Sequence, residues 1–232
     1  MVMSSNLLYQ FSLPDGKEIS YPFEFDGERY NLITSDLKTP PWTELGFQQC
    51  HHCPYRDSAS PKYCPAALQL AQVVKSIDHL VSFDRIHVKV QTSHRTVDQE
   101  SSAQEAISSL LGLVLASCGC PHTEFLLPMA RFHVPLASAE ETLWRSCASF
   151  MLAQYFREEN GEKPEDISGL LRRYENLETL NSYLAKRLRS QLDQDACLNA
   201  IILLDTYAKS LPSFISKTIH NLKPLYATYL LN

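Results

Sequence analysis

Glycine is scarce in this chain, with only seven among 232 residues. Phosphate-cradling proteins rely on glycine-rich turns where backbone N–H groups meet the ligand, and neither a G-x-G-x-x-G segment nor a Walker loop occurs. A G-x-S-x-G elbow and an H-E-x-x-H helix are also missing. The common nucleotide-binding and hydrolase classes are therefore disfavoured, and no catalytic constellation presents itself. Positive charge is also short: 21 Lys and Arg against 26 Asp and Glu give a net charge of −5, with no basic run. A surface for nucleic acid or anionic membrane is not expected from that balance. The longest apolar stretch, Ile107 to Ala116, is about half of the roughly 20 residues that cross a bilayer. The first residues carry neither a basic start nor an apolar core and do not read as a signal peptide. A cytoplasmic protein is the expectation.

What is present is cysteine, in an unusual context. Three of the seven cysteines precede proline: Cys53-Pro54, Cys64-Pro65 and Cys120-Pro121. Proline suits the first position of a helix, so each cysteine is expected at a helix cap. There the positive end of the macrodipole would lower the thiol pKa. Seven is an odd number, and a disulfide framework is unexpected in a chain of this length. Cys50-His51-His52-Cys53 is a C-x2-C knuckle of the kind that supplies two ligands of a tetrahedral site, usually for zinc. Cys64 offers a third ligand. The fourth is assigned to Cys120, with Cys118 as rival and His51 or His52 as more local candidates. An iron–sulfur cluster could use the same four thiolates. Cys147 and Cys197, set among apolar neighbours on helical patterns, read as core residues.

The remaining chain predicts an α+β fold in one domain, residues 1–232. Residues 1–33 form a three-strand meander, with a turn at Pro14-Asp15-Gly16 and a hairpin signal at Asp26-Gly27. Pro22 demotes the second strand to an edge or a bulge. Residues 34–64 are a cysteine-bearing loop, long enough to need something to hold it. Residues 65–101 supply a helix over 65–83 and a fourth strand, Arg85 to Thr92, with His94-Arg95 closing it. Residues 102–232 are the helical body. Ser102 with Glu105 and Ser138 with Glu141 read as capping boxes. Pro121 is expected to start a short helix that Pro128 shortens or kinks. Leu170, Tyr174, Leu177, Asn181, Leu184 and Leu188 make one packing stripe, in which Asn181 is expected to bond a buried partner or fix register. Pro212 separates the last two helices.

A second polar group sits near the cysteines in sequence. Arg131 and His133, with Glu141 and Arg145, could line a pocket for a polar or anionic ligand. The capping box and an i,i+4 pair account for Glu141 and Arg145 without any ligand.

The segments Cys50-His51-His52-Cys53-Pro54, Cys64-Pro65-Ala66, Cys118-Gly119-Cys120-Pro121 and Met129-Ala130-Arg131-Phe132-His133-Val134-Pro135 resemble a family of uncharacterised bacterial proteins, a domain of unknown function. The likeness extends through Glu141, Arg145 and Gln154-Tyr155-Phe156, and to Asp195-Ala196. It implies a bacterial, cytosolic protein and carries no activity with it. Two expectations follow from the residues. The first is a zinc-stapled protein that binds an unidentified protein partner through the sheet edge or the 34–64 loop. The alternative is a redox, iron–sulfur or metalloenzyme using the cysteines with Arg131 and His133.

Overall fold

The computed structural model describes residues 5–35, 37–58, 60–192 and 194–230. Its sheet is built from β1 (Ser5–Ser12), β2 (Glu18–Phe25), β3 (Leu32–Ile33), β4 (Arg85–Thr92) and β5 (Thr96–Ser102), antiparallel throughout and ordered β3-β2-β1-β4-β5. Alternation places Leu7, Tyr9 and Phe11 of β1 and Ile86, Val88 and Val90 of β4 on the same buried face, as a period of two requires. The helices are α1 (Pro65–Ile77), α2 (Ala103–Ala116), α3 (Leu127–Arg131), α4 (Ala139–Glu159), α5 (Ser168–Arg189) and α6 (Ala196–Ser213), followed by short helical turns to Leu230. The apolar helix α2 lies between the sheet and α6, and α6 packs closely on α5. This is an α+β fold. Among the described residues no helix is long and apolar enough to cross a membrane.

Local signals account for most element ends. Ser102 accepts the Glu105 N–H at the start of α2. Ser138 and Glu141 form a reciprocal capping box at the start of α4. Asp26 closes the β2–β3 connection, its carboxylate accepting the N–H groups of Glu28, Arg29, Tyr30 and Asn31.

Several expectations need correction. The sheet has a fifth strand: β5 follows a turn at His94-Arg95 and reads Thr-Val-Asp-Gln-Glu-Ser-Ser. Its side chains are mostly exposed, so no apolar alternation announced it, and pairing with β4 is what holds it. Pro22 is not at a bulge, for it pairs in register with Leu8. β3 reaches only Glu24 and Phe25, so no partner asks for an N–H at Pro22 on that side. α1 ends at Ile77, short of the expected 83. Pro121 opens a turn, and Pro128 sits in the first turn of α3, where its missing N–H costs nothing. Pro212 lies inside α6, and helical structure continues past it through a π-type turn, Phe214–Thr218.

Candidate functional site

The 34–64 loop folds back on itself before it meets anything else. Cys64 donates its N–H to the Thr43 carbonyl at 2.8 Å, Leu45 donates to Lys62 at 3.0 Å, and Glu44 bridges Tyr63. The knuckle is a turn in which the Cys53 N–H reaches the Cys50 carbonyl at 3.1 Å. His52 stacks on His122 with ring centroids 4.0 Å apart. His122 Nε2 donates to the His52 carbonyl, and His52 Nε2 donates to the Asn176 carbonyl on α5, both at 3.0 Å. The loop is thereby laid against the Cys118–Thr123 turn and α5.

The Cys120 thiol lies within electrostatic reach of Cys118, Cys64 and Cys50, and Cys50 within reach of Cys64 and Cys53. All five are free thiols, and all but Cys53 are buried. Cys118 Sγ also meets Thr123 Oγ1 at 3.6 Å. Among the described residues, no three His, Cys, Asp or Glu side chains stand in an arrangement that would hold a metal ion. Cys147 and Cys197 are buried in the core as expected.

Of the three Cys-Pro thiols, Cys120 does not show the lowering expected at a helix cap. Only Cys64 caps a helix; Cys53 and Cys120 stand in turns. Burial instead pushes the Cys50 and Cys118 thiols up to about 11, neighbouring cysteines adding to the rise, and Cys120 is raised for the same reasons. As free thiols these sulfurs are protonated and poor nucleophiles.

Sequence reasoning missed the residue that holds the loop. Arg187 on α5 is 2% exposed. Its Nη1 donates to the carbonyls of Trp42 at 2.6 Å and Glu44 at 2.9 Å, and its Nη2 to Leu45 at 3.1 Å. Burial pulls its pKa below the usual arginine value, while Cys64, Cys50 and Cys53 act in the opposite sense. Among the described residues no carboxylate pairs with it. In the sequence it hides in a basic last turn, Lys186-Arg187-Leu188-Arg189. Its position seven residues after Leu180, a buried member of the same helix face, was the available signal.

The second polar group divides. His133 and Arg145 line a cleft of about 380 Å³ enclosed by α2 to α6 and the end of the sheet; Arg131 and Glu141 do not. Arg131 is exposed and lies over the Tyr30 ring. Glu141 is taken by its capping box and held below the usual carboxylate range by the Ser138 hydrogen bonds. His133 Nε2 lies 2.6 Å from the Tyr9 hydroxyl, which meets Ser109 Oγ at 2.8 Å. Burial, and then the Arg145 charge, pull the His133 pKa down to about 3, so the imidazole is neutral. Arg145 Nη2 donates to the carbonyls of Met129 and Phe132. None of the cysteines lines the cleft.

Residues 7–227 match the family described as a domain of unknown function, DUF6901. The chain belongs to this family. No curated protein and no solved structure matches it. The family carries no assigned activity, so the geometry alone must speak for function.

Proposed function

We propose that Cys50, Cys53, Cys64 and Cys120 hold a structural zinc ion, with Cys118 as rival for the fourth place. The stapled loop would then offer its exposed 54–58 face to a protein partner. The observation that carries this reading is Arg187: a guanidinium buried to 2% exposure, bonded to three carbonyls and within electrostatic reach of Cys64, Cys50 and Cys53. A buried cation without a counter-charge is costly. Neutral thiols give it none, whereas four thiolates on a divalent ion carry a net charge of about −2.

Zinc, when bound, supplies a closed four-sulfur node, and its binding free energy is folding free energy, on the order of 10 kcal/mol. On this reading the chain's own part would be to bring two sulfurs from the knuckle, one from the cap of α1 and one from the 118–120 turn to a single place. An iron–sulfur centre would draw on the same sulfurs and would show itself by visible absorbance in an anaerobic sample.

Elemental analysis of protein purified without added metal, followed by thermal melts with and without chelator, tests the reading. One zinc per chain, lost in Cys64→Ser and accompanied by a large fall in melting temperature on chelation, is the expected result. A metal-free protein whose melt ignores the chelator overturns it.

A further inference from the structure

We infer that the cleft between α2, α5 and α6 is a binding site for a small molecule with an apolar body and an amide edge, an N–H beside a C=O. The deciding residue is Asn181. It is 1% exposed, it lines the cleft, and among the described residues neither its Nδ2 nor its Oδ1 has a hydrogen-bond partner. The sequence leads one to expect either a bonded contact or a register-fixing role there, and among the described residues the bond is not made. The nearby polar pair on α6 does behave as a satisfied contact: Asp195 accepts the Ser82 N–H, and Asn199 donates to Ser82 Oγ.

A buried side-chain amide with both ends open is rare, because each unmade hydrogen bond leaves an uncompensated desolvation cost. The neighbouring stripe positions, Leu177 and Leu184, show that leucine suits this face of α5. The cleft walls around Asn181 say what else the ligand carries. Leu113 and Gly112 of α2 and Leu204 of α6 make an apolar part of the wall, while Arg85, Glu100, Glu105 and Arg145 also line the cleft, so the body has an apolar portion to match. Gly112 keeps that wall open: a Cβ there would already stand 3.6 Å from Leu204 Cδ2.

An asparagine amide presents one donor direction beside one acceptor. Only a planar group offering acceptor beside donor answers both at once, as when asparagine pairs with an adenine edge. Primary amides, lactams and nucleobase edges share that chemistry. A carboxylate would answer the donor and leave Oδ1 open, and a hydrocarbon would answer neither. His133 is neutral and already bonded to Tyr9 at 2.6 Å, so it does not compete for the same edge. The site is independent of the zinc proposal, since no cysteine reaches it.

Benzamide and toluene, equal in body and different in edge, are the probes, titrated against the full chain by ligand-observed NMR. Benzamide is expected to bind the native chain more tightly than toluene. Asn181→Leu should weaken benzamide by about tenfold or more, the worth of one hydrogen bond left unmade, while leaving toluene unaffected or improved. Gly112→Leu should block both probes by filling the wall, and it serves alone if Asn181→Leu fails to fold. Benzamide binding no tighter than toluene, or binding that survives Gly112→Leu or Asn181→Leu, overturns the inference.

Discussion

Arg187 and Asn181 stand six residues apart on α5, both essentially inaccessible at 2% and 1% exposure, and their fates are opposite. The guanidinium faces the cysteine-bearing loop and finds three carbonyls there. The amide belongs to a residue that lines the cleft, and it finds no partner among the described residues. One helix thus secures an irregular loop near one end and leaves an unanswered polar group near its middle. The difference teaches that burial alone does not tell a fastening from a binding feature; the hydrogen-bond inventory does.

The largest effect is expected on the fastened side. Arg187→Met strips three carbonyls of their donor, and destabilisation of about 3–5 kcal/mol is expected, as when one partner of a buried charged contact is removed. Urea unfolding measures it, and limited proteolysis should then cut within residues 37–58. A variant within 1 kcal/mol of the native chain would mean that backbone bonds such as Cys64 to Thr43 hold the loop unaided.

The cleft side gives a pH signature. His133 titrates near 3 in the fold and near 6.5 when unfolded. Between those values the unfolded chain binds the extra proton, so stability rises with pH. The contribution is complete above pH 6.5 and drains away as pH falls toward 3, by roughly 2–4 kcal/mol. Denaturation at a series of pH values, native against His133→Gln, checks this; parallel curves would show that the imidazole is not held neutral.

Asn181→Leu sharpens the comparison with the opposite sign. In the absence of any ligand it should stabilise by about 1–3 kcal/mol, because it removes two unsatisfied buried atoms. Melting temperature reads this directly, and a loss of stability would show that the amide is bonded after all. Ser138→Ala, at the cleft rim, should cost only about 1 kcal/mol through the lost cap of α4, and a larger loss would assign that serine a role beyond capping.

Much of the fold was legible because local chemistry agreed with it. Serine followed three residues later by glutamate marked the starts of α2 and α4, and the 170–188 stripe is buried at every position named. β5 was not legible, since a strand held by main-chain pairing at an exposed edge has no reason to alternate. The Cys-Pro pairs were misread because proline favours turns as readily as helix starts, and only Pro65 begins a helix. At the candidate sites, the sequence singled out five cysteines and a pocket group of Arg131, His133, Glu141 and Arg145, of which only His133 and Arg145 line the cleft. It overlooked Arg187, and of the two roles it offered Asn181, a bonded partner or a fixed register, the bond is not found among the described residues.

By itself, the sequence determined where helices begin, which faces they bury and which sulfurs were worth watching, because capping, periodicity and residue type act over a few neighbours. Only the tertiary structure decided that an arginine fastens the loop and that an asparagine beside a cleft is left without a partner among the described residues. Both outcomes depend on what lies opposite the side chain, and that neighbour comes from another element far away in the chain.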